Sequence, residues 1–158
     1  MSDPELVARL EREKSASVAQ LLFKCARLLN ERAVASIEQP VGVARIRPAH
    51  TSVFPHVDLA GTRLTELARR MGISKQAVGQ LVDELEQMGT LERVPDPSDG
   101  RAKLIRFCSD GGRSLFDGLA HLRRLEDELA KEIGVERMAA LFDGLGALLA
   151  ALEAGEGG

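Results

Sequence analysis

The chain has 158 residues, a length that suits one domain or one subunit of an oligomer. At 44% hydrophobic it can bury a core, but with no Trp, no Tyr and five Phe that core has to be built from Leu, Ala, Val and Ile. The net charge of −3 excludes a uniformly basic nucleic-acid binder, and two cysteines exclude a disulfide framework and fit a reduced cytoplasm.

The average charge hides an asymmetry. Residues 1–61 and residues 62–108 each carry eight Lys/Arg against seven Asp/Glu, whereas residues 109–158 carry five against ten. In the middle section Arg63, Arg69, Arg70 and Lys75 precede the acidic cluster Asp83, Glu84 and Glu86, and Arg101, Lys103 and Arg106 follow it. A nearly neutral total can therefore hold a local basic face. The opening MSDPELVARLERE is charged rather than apolar, unlike a signal peptide, and no run approaches 18 apolar residues. The expectation is a soluble cytoplasmic protein with no membrane partner.

Taken in order, the chain predicts first one long N-terminal helix. Val7, Leu10, Val18, Leu21, Leu22, Cys25, Leu28 and Leu29 recur at helical spacing, and Pro40 and Gly42 end the run. Next comes a loop with a short helix after Pro48, a residue suited to a first helical position. TRLTELARRMG then predicts a short amphipathic helix with Leu64, Leu67 and Ala68 inward and Gly72 at its C-terminal position. Ser74 is the expected N-cap of a second short helix, whose Ala77, Val78, Leu81, Val82 and Leu85 share one stripe and which Gly89 ends.

Leu91–Val94 predicts a strand, PDPSDG a turn, and Arg101–Phe107 a second strand with Ile105 and Phe107 on one face and Leu104 and Arg106 on the other. The C-terminal third predicts a helix ending at Ile133, a break at Gly134, and a last helix that is apolar around much of its circumference. Such a surface calls for a partner, most simply a second copy of the chain. Gly144 and Gly146 each weaken that helix by about 1 kcal/mol and so suit close helix approach. The tail EAGEGG is expected to fray.

Two short helices joined by Gly72-Ile73-Ser74 form a helix-turn-helix, which sets the start of its second helix against base edges in the major groove. Here that start supplies Ser74, Lys75, Gln76 and Gln80, with Gly79 leaving room for a groove wall. Gln suits adenine and Lys suits guanine or phosphate. A two-stranded ribbon directly after such a helix is a wing. Arg101 at its tip suits a narrow, electronegative minor groove, Asp99 is placed to accept hydrogen bonds from that guanidinium, and Lys103 adds charge beside it. Thr62 and Arg63, at the start of the first motif helix, are candidate phosphate contacts.

The stretch TRLTELARRMGISKQAVGQLVDELEQMGTLERVPDPSDGRAKLIRF resembles the winged helix-turn-helix core of the MarR (multiple antibiotic resistance regulator) family, over about residues 45–112. Its most specific part is DPSDGRAK, where Asp99 and Arg101 match the family's wing pattern of Asp, any residue, Arg. The resemblance implies a mainly α fold with a small β-hairpin. It implies an N-terminal dimerisation helix over 1–42, a DNA-binding domain over 43–108 and C-terminal dimerisation helices over 109–158. It further implies a homodimer on pseudo-palindromic double-stranded operators, usually a repressor released by a small ligand or by oxidation. Two departures stand out: Cys108 occupies a position where the family commonly has Thr, and the chain lacks the aromatic residues that line phenolic-ligand pockets.

Other residues carry weaker signals. Cys25 lies on an apolar stripe, where a free cysteine behaves as a small hydrophobe, and Cys108 at a helix N-terminus is the more reactive candidate for redox chemistry. His50 and His56 lack metal-ligand spacing. Arg47 and His50 are candidates for an anion-binding effector pocket, with polar bridging between lobes as the plainer alternative. The three histidines are scattered and no phosphate loop or metal spacing appears, so neither an enzyme nor a cofactor is expected. The alternative to a DNA-binding regulator is a winged helix that binds protein.

Overall fold

A computed structural model of the chain describes residues 3–37, 45–108 and 111–155, with the side chains of the last segment described from residue 115. The expected helix end at Pro40 and Gly42, and most of the expected C-terminal fraying, lie outside these residues. The chain divides into two compact units, Met1–Leu115 and Phe116–Gly158.

The first unit opens with α1 (Pro4–Ala16) and α2 (Val18–Ala35), so the single long helix expected here is in fact two. Ser17 is the reason. It adopts an extended backbone (φ −84°, ψ 117°), and its hydroxyl accepts the Gln20 amide at 3.3 Å, capping α2. The sequence Ser-x-x-Gln is the signal that periodicity alone passes over. α3 (Pro48–Thr51) follows, then a single 3-10 turn over Phe54–His56. Asn30 of α2 donates to the Pro48 carbonyl at 2.9 Å and accepts from the Thr51 hydroxyl, which fastens α2 to α3.

Thr62–Arg63 form a two-residue strand, β1, immediately before α4 (Leu64–Met71). Gly72 adopts the left-handed conformation expected of it (φ 65°), which only a residue without Cβ reaches cheaply. α5 (Lys75–Gln87) starts at the predicted cap, the Ser74 hydroxyl accepting the Ala77 amide at 3.2 Å. β2 (Leu91–Asp96) and β3 (Asp99–Phe107) complete a three-stranded antiparallel sheet in the order β1-β3-β2. The strands run further than expected, so the turn shrinks from PDPSDG to Pro97-Ser98.

The core of this unit is one cluster. Leu67, Val78, Val82, Leu85 and Leu91 have no exposed surface, Ile105 is 1% exposed, and Val53 and Val57 join them. Phe54 and Phe107 close one side with ring centroids 5.9 Å apart. Gly79 is turned toward α4, not toward a free face: a Cβ there would lie 3.9 Å from Leu64 Cδ2, an ordinary contact.

The second unit is helical. α6 (Gly111–Ile133) and α7 (Val135–Gly155) flank Gly134, whose φ of 102° makes the predicted break. In the single chain α7 has no buried residue, and Phe142, Leu149 and Leu152 are 77%, 57% and 62% exposed. By length and composition alone α7 could cross a membrane, with a mean hydropathy of 1.5. Glu136, Arg137, Asp143 and Glu153 interrupt it, so it holds no run of 18 apolar residues. A Cβ at Gly144 or Gly146 would meet nothing within 4 Å in this chain.

Two substitutions test this packing by denaturant unfolding. Leu67→Ala should lower stability by about 2–5 kcal/mol, as for a fully buried leucine. Gly79→Ala should raise it by roughly 0.5–1 kcal/mol, because a helix-interior glycine gains a methyl that fits.

Candidate nucleic-acid interface

Burial of one stripe of α5 turns the opposite stripe outward. Lys75, Gln76 and Gln80 are exposed, with Gln76 and Gln80 one turn apart on the same face. Ser74 is exposed too, but its hydroxyl is engaged as the helix cap, so it orders the start of α5 before it can read anything.

The acids of α5 are neutralised one by one. Arg93 of β2 donates to Asp83 at 2.6 Å and also to Glu86. Glu84 pairs with Arg47, and His50 Nε2 reaches the same carboxylate oxygen at 2.6 Å. His50 is fully buried, and its Nδ1 accepts the Arg47 amide at 3.1 Å, so the ring proton sits on Nε2 and points at Glu84. His50 and then Arg47 hold the Glu84 carboxyl below its ordinary range. Arg47 and His50, the candidates for an anion pocket, both pair with Glu84 and so tie α3 to α5.

The wing has an irregular tip. Pro95 pairs with Lys103, but the next residue, Asp96, pairs with Asp99. One step along β2 thus spans four along β3, leaving Gly100, Arg101 and Ala102 as a bulge that carries Arg101 away from the ladder. Arg101 and Lys103 are exposed, and neither they nor Lys75 make an ion pair among the described residues. The expected bond from Asp99 to the Arg101 guanidinium is replaced by one to its backbone: Asp99 Oδ1 accepts the Arg101 amide at 3.1 Å.

Sequence reasoning missed the base of the wing. Arg63 Nε donates to Asp96 Oδ2 at 2.8 Å, and its Nη2 lies 3.8 Å from Asp99 Oδ2. The other Asp96 oxygen accepts the Ser98 amide at 2.8 Å and hydroxyl at 2.6 Å. Asp96 is 6% exposed, and Ser98 first, then Arg63, hold its carboxyl well below the ordinary value of 3.8, at about 2. Arg63 and Asp96 are 33 residues apart, and only a register that places β1 beside β3 brings them together. Thr62 is 3% exposed, and its hydroxyl accepts the Asp58 amide at 2.8 Å and donates to the Asp58 carboxylate. It is thus a buried structural residue and not a phosphate contact.

Neither cysteine gains support as a redox centre. Cys25 is exposed on α2 rather than buried in an apolar stripe. Burial, and then the Glu92 carboxylate, push the Cys108 thiol upward, the reverse of the activation expected at a helix N-terminus. No cluster of three or more His, Cys, Asp or Glu suited to a metal ion occurs among the described residues.

Two helices joined by a tight turn, followed by a two-stranded wing and with β1 closing the sheet, define a winged helix-turn-helix protein. The MarR family model matches residues 48–102, which span the motif helices and most of the wing. Solved structures with the same fold include apo MarR from E. coli, at 18% identity over 84% of this chain and 97% of that one (TM-score 0.64). CouR from Rhodococcus jostii RHA1 bound to p-coumaroyl-CoA is 26% identical over 85% of this chain and 93% of that one (TM-score 0.60). The transcriptional repressor CouR bound to a 23-mer DNA duplex is 21% identical over 85% and 94% (TM-score 0.60). Comparison with curated protein sequences finds no match.

The depressed Asp96 pKa sets a pH dependence with a definite sign. A carboxyl whose folded value lies below its unfolded value stabilises fully above the unfolded value and loses that contribution as pH falls through the folded one. Asp96→Asn should therefore be less stable than the parent at pH 7, and urea unfolding at stepped pH should show the gap narrowing between about pH 4 and about pH 2. A gap that stays constant across that window would show that Asp96 does not act as a charged acceptor.

Proposed function

We propose that this chain is a MarR-family transcriptional regulator that binds double-stranded DNA sequence-specifically as a homodimer, acting as a repressor in the cytoplasm. One observation carries this reading. The exposed start of α5 offers Lys75, Gln76 and Gln80 with their polar groups free, while Asp83, Glu84 and Glu86 are each paired with a cation. Electrostatic repulsion of a phosphate backbone is thereby removed from the helix that enters the groove. Gln76 and Gln80 would read base edges, Lys75 a base or phosphate, and Arg101 on its bulge the neighbouring minor groove, with Lys103 beside the backbone. That CouR has been seen on a DNA duplex supports the same use of the fold here.

The second copy is proposed from the terminal segments, residues 1–42 and 109–158. α1 and α2 leave Leu6, Leu10, Leu21 and Leu28 more than half exposed, as α7 does Phe142, Leu149 and Leu152. A bilayer is the less suitable cover for α7. Asp143 sits near its middle, and an ionised residue at the centre of a spanning helix costs about 2.5–3.5 kcal/mol. A partner protein leaves that carboxylate at a wet rim. Two copies would place two recognition helices on half-sites about 34 Å apart. An effector that releases the protein belongs to the same proposal; CouR binding p-coumaroyl-CoA is the precedent, and this chain lacks Trp and Tyr with which to line a site for a phenolic ring.

Fluorescence anisotropy on a bound DNA fragment at stepped salt tests the contacts. Arg101→Ala should weaken binding severalfold and lower the slope of log K against log salt by about 1, the loss of one phosphate-neutralising charge. Gln76→Ala should reduce discrimination against a mismatched base by about 1–3 kcal/mol while non-specific binding stays. Specific and non-specific affinities falling together would remove the readout role, and a salt-insensitive complex would favour a winged helix that binds protein instead.

A further inference from the structure

We propose that Arg63 is not a DNA contact but a positioning residue that, through Asp96, fixes the wing so that Arg101 is presented to DNA. The proposal rests on the DNA-binding reading above and deepens it. Arg63 is the residue just before α4 and also half of β1, so it belongs to the helix-turn-helix by position and to the sheet by pairing. Its side chain crosses β3 to the far end of β2, because the strand order places β3 between them. There Nε and Nη2 both meet Asp96 Oδ2. With Oδ1 taking both donors of Ser98, the Asp96 carboxylate has every lone pair directed at a partner.

The consequence reaches the tip through the bulge. Asp96 and Asp99 are the last pair before the turn, and the register jump that frees Gly100, Arg101 and Ala102 occurs at Pro95/Asp96. Asp99 receives the Arg101 amide and lies 3.8 Å from the Arg63 guanidinium. One cation thus draws in both carboxylates of the Asp96–Asp99 pair, which closes the bulge on its turn side. A two-residue turn between strands is otherwise weakly held, and a three-residue bulge has no ladder bonds of its own. Without Arg63 the two carboxylates would repel each other, and the bulge would sample many conformations. Arg101 would then have to be ordered at the moment of binding.

Charge gives the test its direction. Removing a carboxylate near a DNA-facing surface ordinarily tightens DNA binding, since it removes repulsion of phosphate. A clamp predicts the reverse. Asp96→Asn presents an amide N–H₂ or a neutral oxygen to a guanidinium that needs a carboxylate, and it should weaken binding to the selected DNA fragment fivefold or more. Arg63→Ala should do the same while keeping the parental salt slope, and the double variant should be no weaker than either single one. A DNA-free readout accompanies it: cleavage by trypsin after Arg101 should accelerate several-fold in both single variants, with circular dichroism confirming that each is folded.

Asp96→Asn binding as well as or better than the parent would overturn the proposal. So would Arg63→Ala losing about one unit of salt slope, which is the mark of a direct phosphate contact. If the parent chain itself binds no DNA, the DNA reading fails, and the trypsin comparison still decides whether the clamp holds the wing.

Discussion

Everything on the candidate interface depends on the rotation of α5 about its own axis, and that rotation is set by three side chains. Val78, Val82 and Leu85 have no exposed surface. Their stripe packs on Leu67 of α4 and on Leu91 and Ile105 of the sheet. Turning the helix would expose these groups to water at a cost of about 1.5–3 kcal/mol each. The same constraint turns Gln76 and Gln80 outward and brings the acids at 83, 84 and 86 within reach of cations on neighbouring elements. Core packing and the outward placement of Gln76 and Gln80 are two results of one hydrophobic stripe.

A second layer of ion pairs then holds the surrounding pieces to α5. Arg93 staples β2 to its C-terminal half, and Arg47 with His50 staples α3 to the same turn. Arg63 and Asp96 do the corresponding work between β1 and the wing. Exposed ion pairs contribute little to stability, typically 0–1 kcal/mol. Their effect here is on orientation and on charge: they leave the outward stripe of α5 free of unpaired acids. The buried His50 is the exception, since both of its ring nitrogens are engaged, Nδ1 by the Arg47 amide and Nε2 by Glu84.

The parts of the fold legible in the sequence are those with a local cause. Gly72 and Ser74 announce a helix end and a helix start because a left-handed backbone and an N-cap each need particular residues, and both were found where expected. Gly134 behaves likewise. The split at Ser17 also had a local cause, its capping partner Gln20, but neither Pro nor Gly marks it, and Leu10 and Val18 on either side still fit one helical stripe. β1 was not legible, because two residues have no period. The burial of Thr62 and the recruitment of Arg63 by Asp96 follow from that missing strand. The bulge that carries Arg101 depends on register, which turn composition alone does not specify.

The central claim is that the exposed stripe of α5 and the wing read DNA, and its most direct test is recovery of bound fragments from random duplex DNA at moderate salt with the purified protein. The account predicts enrichment of an inverted repeat whose half-sites lie about one helical turn apart, as two copies of α5 require. Recovery of no enriched sequence from a folded, dimeric protein would contradict it and would assign the winged helix to a protein partner.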